Sequence, residues 1–159
     1  MRFFQKNKGK KVVLAPMTGK SVPITEVPDA VFSGKVLGDG VGIEPSGGKV
    51  VAPVDGTVVQ VAETLHAVCM ESDGGAEIII HLGIDTVKLK GKGFTCHVEN
   101  GQHVRAGDVL MDVDIDFIRG EGYNPVTPCI ITNMDAVKDV SFSYGEVKAG
   151  KTAVIEYGI

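Results

Sequence analysis

The chain has no Trp, only three Cys, and aromatics at 6% of its 159 residues. Cys69, Cys96 and Cys129 form an odd set with no C-x-x-C pair, which suggests neither a disulfide framework nor a thiolate zinc cluster. They read as small buried hydrophobes. No apolar run approaches the roughly 18 residues of a membrane-crossing helix, and no apolar stretch with a small-residue cleavage site opens the chain. The expected location is therefore cytoplasmic. The 21 Gly and 7 Pro carry no three-residue period, so a collagen-like chain is excluded as well.

Charge is unevenly placed. Arg2, Lys6, Lys8, Lys10 and Lys11 precede residue 12 with no acid among them; of 16 basic and 20 acidic residues in all, the rest of the chain keeps 11 against 20, a net −9. A basic flexible tail over 1–11 followed by a single domain over 12–159 is the expected organisation. The acidic body argues against nucleic acid as the main ligand and for a cationic protein partner. With Phe3 and Phe4, the tail offers a weak contact to an anionic membrane surface, that is, a peripheral position at the inner membrane face.

From Val12 onward, turn signals punctuate short segments rich in β-branched residues. Residues 49–52, 57–61, 64–71, 77–81, 86–90, 109–113 and 152–157 read as strands, and Gly38-Asp39-Gly40 as a turn. Residues 114–119 and 133–140 read as very short helices, the second with Asn133 as N-cap. The fold class is all-β: an antiparallel β-sandwich or partly closed barrel. Two echoes point to related halves. Ala15-Pro16-Met17-Thr18-Gly19 resembles Ala52-Pro53-Val54-Asp55-Gly56, and the segment 101–107 resembles 145–150 with one residue deleted.

The glycines around Gly42 to Lys49 do not make a phosphate loop, because Gly48 stands where Lys is needed and Val50 where Ser or Thr is needed. Of four histidines, His97 and His103 flank the Asn100-Gly101 turn and read as exposed loop-edge residues. His66 and His81 each interrupt an apolar segment. Strand alternation places Thr64, His66 and Val68 on one face and Ile79 and His81 on another. If the two strands are neighbours, a hydroxyl and two imidazoles converge on an apolar surface. Such a pair suits phosphoryl transfer, one ring as nucleophile and the other holding the transferred group, or metal binding. Only Asp39 or Asp85 could add a third zinc ligand, and there is no H-x-H or H-E-x-x-H, so metal is the weaker reading. Both acids are turn residues by default; as a rim around the apolar patch they would speed association with a basic partner.

The residues also match a known pattern. Residues 51–56 (V-A-P-V-D-G), Glu63-Thr64 with His66-Ala67, Glu71-Ser72-Asp73, His81-x-Gly83-Ile84-Asp85-Thr86-Val87-x-Leu89-x-Gly91-x-Gly93-Phe94, Thr127-Pro128 and Thr132-Asn133-Met134-Asp135 resemble the glucose-class IIA phosphocarriers of the bacterial phosphoenolpyruvate:sugar phosphotransferase system. The resemblance runs from about Ala15 to the C-terminus. It implies a phosphotransferase component with His81 as phosphoacceptor, His66 as supporting histidine and Thr64 orienting His66. The donor would be HPr and the acceptor a cysteine of the IIB domain of a sugar permease. No cofactor is required, although a zinc ion on His66 and His81 completed by a partner carboxylate belongs to what the resemblance allows. Asp39 and Asp85 would form the acidic rim, and Val41, Ala62, Val68, Ile79 and Val87 the apolar surround, Val41 and Val87 by resemblance alone. Ala62 and Ile79 are smaller than the Phe that many members place there. The basic tail resembles the extension of free-standing members. Two other readings stay open: a regulatory module binding transporters or kinases through the same face, and a zinc-dependent hydrolase on a related sandwich.

Overall fold

The structure is a computed structural model and describes residues 10–159. Arg2, Phe3, Phe4, Lys6 and Lys8, and with them most of the tail and its membrane contact, lie outside the described residues; Lys11 already belongs to a strand. In chain order the strands are β1 (Lys11–Leu14), β2 (Gly19–Pro23), β3 (Asp39–Pro45), β4 (Lys49–Val51), β5 (Gly56–Val61), β6 (Ala67–Ser72), β7 (Glu77–His81), β8 (Phe94–Cys96), β9 (His103–Val104), β10 (Val109–Val113), β11 (Thr127–Ile131), β12 (Lys138–Phe142), β13 (Gly145–Val147) and β14 (Ala153–Gly158). The helices are α1 (Ala30–Ser33) and α2 (Ile115–Gly120), with single 3₁₀ turns at Ile24–Glu26, Thr86–Leu89 and Met134–Ala136.

A large sheet of order β13-β2-β3-β11-β7-β6-β5-β9 packs against two three-stranded sheets, β1-β14-β12 and β4-β10-β8, with every pairing antiparallel. No sheet closes into a barrel, so the architecture is the sandwich. Alternation fills its interior. Val68 and Met70 of β6, Ile78 and Ile80 of β7, and Cys129 and Ile131 of β11 point inward, toward Val13, Leu110, Met111 and Ile155 of the smaller sheets. The opposite face of β7 and β11 is covered only locally. There Phe32 of α1, Ile24, Val27, Ile84 and Val126 pack over Ile130, with Ile79 against them. This second, smaller core supports one end of the site described below.

The sequence echoes meet in space. The Ala15 N–H donates to the Thr152 carbonyl and the Ala52 N–H to that of Asp108, both at 2.8 Å, while Gly150 and Gly107 donate back to Ala15 and Ala52, also at 2.8 Å. The two copies then bond each other reciprocally, Leu14 N–H to the Pro53 carbonyl and Val51 N–H to that of Pro16, both at 2.9 Å. Thr18 and Asp55 play the same part, accepting from the Ala149 and Ala106 N–H groups. Such reciprocal bonding is what two related halves make around a pseudo-two-fold axis.

Several local expectations are corrected. Gly38-Asp39-Gly40 is not a turn: Asp39 opens β3, paired to Ile131 of β11. Gly40 is there because a Cβ would sit 2.1 Å from the Cys129 carbonyl oxygen, so its role is close approach of backbones. Instead of a strand over 86–90, Thr86–Leu89 form a 3₁₀ turn, flanked by Asp85 and Lys90 in left-handed conformations that a strand does not admit. Only Ala67 onward of the segment 64–71 is strand. Asn133 precedes a single 3₁₀ turn and makes no cap; its side chain instead accepts from the Glu77 N–H at 2.8 Å and donates to the Gly75 carbonyl at 2.9 Å. Asp114, by contrast, caps α2 through the Phe117 N–H.

Candidate active site

β6 and β7 are neighbours, with Ala67 opposite His81 and Cys69 opposite Ile79. Since Val68 and Ile80 point into the core, His81 and Ile79 point out from the other face. His66 reaches the same face by another route. It ends the five-residue loop between β5 and β6, in which Leu65 adopts a left-handed φ of 61°. The turn is closed by Leu65 N–H to the Ala62 carbonyl, and Leu82 N–H donates to the His66 carbonyl at 2.7 Å, fixing His66 beside the end of β7. The two imidazoles lie edge to face with centroids 5.1 Å apart. The turn, and not strand alternation, brings Thr64 and His66 here. Val68 consequently does not share their face.

Hydrogen bonds define what each ring offers. His81 Nδ1 is 2.7 Å from the Gly83 carbonyl oxygen. A carbonyl only accepts, so the proton sits on Nδ1 and Nε2 keeps its lone pair. His66 Nδ1 is 2.5 Å from the Thr64 hydroxyl oxygen. Among the described residues neither Nε2 has a protein hydrogen-bond partner. Burial pulls both rings below the ordinary histidine pKa; for His66 the neighbouring His81 adds to this, and for His81 it is opposed by the Gly83 bond and the charges of Asp29 and Asp85. Both rings are neutral at pH 7.

That has a measurable consequence. A histidine whose folded pKa is depressed binds fewer protons folded than unfolded, so its contribution to stability is intact above the unfolded value of 6.5 and is lost as pH falls from there through the folded value. Denaturant midpoints at pH 7.5 and 5.5 are expected to fall further for this protein than for a His66→Gln, His81→Gln double variant.

Thr64→Val removes the hydroxyl from Nδ1 at nearly constant volume. It is expected to weaken the nuclear Overhauser contact between the His66 and His81 rings, with the fold intact by circular dichroism.

The remaining sequence-derived residues divide. Val87 is 46% exposed in the 3₁₀ turn Thr86–Leu89, and Ala62 and Ile79 are half-buried. Val41 and Val68 are fully buried in the main core, so neither can touch a partner. Asp85 acts on His81, but Asp39 does not: its carboxylate binds the Gly40 N–H and lies 3.5 Å from Lys35 Nζ. The acid in that place is Asp29, the N-cap of α1. Phe32 was likewise not foreseen, yet its ring lies 5.0 Å from that of His81. An aromatic therefore does stand against the ring pair, from α1 instead of from positions 62 or 79. Asp before an apolar Ala-Val-Phe run is an N-cap signal, and it could have revealed both residues. Exposed Val31, Val36 and Leu37 surround this segment. His97 and His103 pair with Asp112 and Asp73 on exposed surface, apart from the site.

Two imidazoles fall short of the three protein ligands of a catalytic zinc site, and among the described residues no group of three or more His, Cys, Asp or Glu could hold a metal. The donor set on this chain does not fit zinc by itself. Cys129 is sealed in the core, its thiol pushed up to about 12, and is no ligand or nucleophile.

A carbonyl-oriented imidazole beside a second one has the chemistry of a nucleophile or of a ligand pair, and comparison with known proteins gives the family. The family model of the phosphoenolpyruvate-dependent sugar phosphotransferase system, EIIA 1, matches residues 11–137. The chain belongs to this EIIA family. A glucose-specific EIIA component of Oceanobacillus iheyensis is 46% identical over 145 residues, covering 91% of this chain and 88% of that protein. One from Bacillus cereus is 44% identical over 148 residues, covering 92% and 90%. The glucose permease IIA of Mycoplasma capricolum superposes with a TM-score of 0.86 at 36% identity, over 92% of this chain and 95% of that one. The EIIA family fold is the sandwich described above. No helix among the described residues is long and apolar enough to cross a membrane.

Proposed function

We propose that this EIIA protein is a phosphohistidine carrier at the cytoplasmic face, taking a phosphoryl group from the phosphohistidine of HPr and delivering it to a cysteine in the IIB domain of a sugar permease. The observation that carries the proposal is the 2.7 Å contact of His81 Nδ1 with the Gly83 carbonyl, from which the tautomer follows. With Nδ1–H held by the Gly83 carbonyl, the Nε2 lone pair forms the new N–P bond while the P–N bond to the donor breaks and its electrons return to the donor imidazole. In delivery a cysteine thiolate attacks phosphorus, and the electrons of the Nε2–P bond return to His81. Neither step requires the Nδ1 proton to move.

His66 is assigned the support of the transferring group. If the Thr64 hydroxyl donates to Nδ1, the His66 proton is on Nε2, where it can hydrogen-bond a phosphoryl oxygen on the neighbouring ring. Asp29 and Asp85 supply negative charge at the rim for a basic partner, while Val31, Val36, Leu37 and Val87 give an apolar surface for docking and for excluding water. One surface serves donor and acceptor in turn. Because the similar proteins carry the name glucose-specific, a glucose permease is the first acceptor to assay.

Incubation with phosphoenolpyruvate, enzyme I and HPr, followed by intact-mass measurement, should add a single acid-labile phosphate. No mass gain, or an acid-stable phosphate, would overturn the carrier reading.

A further inference from the structure

α1 is a single turn of helix, far shorter than a helix that holds itself in water. Its only side-chain cap is Asp29, which lies in extended conformation and accepts from the Val31 N–H at 2.9 Å. The Asp29 carbonyl also accepts from Phe32 and Ser33, at 3.1 and 2.8 Å, so both polar ends of this residue start the turn. What the turn carries is Phe32. That ring is buried in the smaller core, with its centroid 5.0 Å from that of His81 and the two planes at 57°. His81 thus has three neighbours that can hold it: the Gly83 carbonyl at Nδ1, and the rings of His66 and Phe32.

We propose that Asp29 is a positioning residue for the nucleophile, capping α1 so that Phe32 is set against the His81 ring and the ring is aimed outward. The inference rests on His81 being the phosphoacceptor. The nearby Asp85, by contrast, stands in a left-handed conformation before its 3₁₀ turn and makes no side-chain cap. A surface carboxylate serving only to attract partners would need no such bond; here the same group is tied into the backbone that seats an aromatic on the reacting ring.

The test separates the cap from the charge and from partner docking. Phosphoramidate donates without HPr: His81 Nε2 attacks phosphorus, the P–N bond breaks, and ammonia leaves with its electrons. Loading of His81 from phosphoramidate is measured by mass, together with the nuclear Overhauser contact between the Phe32 and His81 rings in the free protein. Asp29→Ala is expected to weaken that contact and slow loading about tenfold, the size of effect that a small misplacement of a reacting group produces. Asp29→Asn, whose amide oxygen still caps, should restore the contact and recover the rate to within about threefold of the original. Phe32→Leu should reproduce the slow loading with Asp29 in place, and answers the case in which Asp29→Ala folds poorly. An unchanged ring contact in Asp29→Ala, or an Asn variant as impaired as the Ala one, would overturn the positioning role. Failure of the unaltered protein to load at His81 would instead overturn the carrier reading, and the ring contact would still decide the role of Asp29.

Discussion

Replacing His81 with alanine is expected to abolish phosphoryl acceptance from phospho-HPr, by at least about 10⁴-fold, a loss on the scale seen when a nucleophile is removed outright. His66 does not substitute. A Thr64 hydroxyl donating to His66 Nδ1 leaves the proton on Nε2, the atom that would have to attack, whereas the Gly83 carbonyl frees Nε2 of His81. Stability should change little beyond the cavity, since His81 is on the outer face of β7 and not in the main core. Rapid-quench mixing with phospho-HPr reads the loss. Loading of His81→Ala at the original rate would sink the assignment, as would a label found on His97.

His66→Gln is expected to separate the two half-reactions: delivery to the IIB cysteine falls about 10²- to 10³-fold, while loading from HPr stays within about tenfold of the original. The difference follows from charge. A neutral imidazole donor brings no charge to the transition state, but a cysteine thiolate brings one negative charge, so delivery depends more on a group that can strengthen its hydrogen bond as charge gathers on the phosphoryl oxygens. A glutamine amide can hold the phosphate at rest but, unlike an imidazole, cannot take up a proton as charge gathers on it. Single-turnover rates for each step decide the matter, and equal losses in both would contradict this role for His66.

How far the site could be read beforehand depended on the kind of local structure. Residues 77–81 alternate because one face of β7 meets the core and the other is open, and that pattern placed Ile79 and His81 together correctly. The same reasoning failed for residues 64–66, where the left-handed Leu65 resets the alternation; the rings still meet, and Val68 turns inward. β3 was hidden because Gly40 and Gly42 look like turn residues, although they serve tight contacts with β11 and with Val27. β11 is buried at every position and carries no period to read. Asp29 and Phe32 come to His81 through tertiary packing of a one-turn helix, which no strand pattern could bring there. Asp39, placed on the acidic rim by its turn-like setting and again by resemblance, instead binds Lys35 and the Gly40 N–H.

The central claim is that Nε2 of His81 carries the phosphoryl group, and nuclear magnetic resonance of the ¹⁵N-histidine-labelled protein phosphorylated through HPr tests it most directly. Phosphorus coupling to Nε2 of His81, with Nδ1 still protonated, is the result expected. Coupling to Nδ1 of that ring, or to either nitrogen of His66, would contradict it.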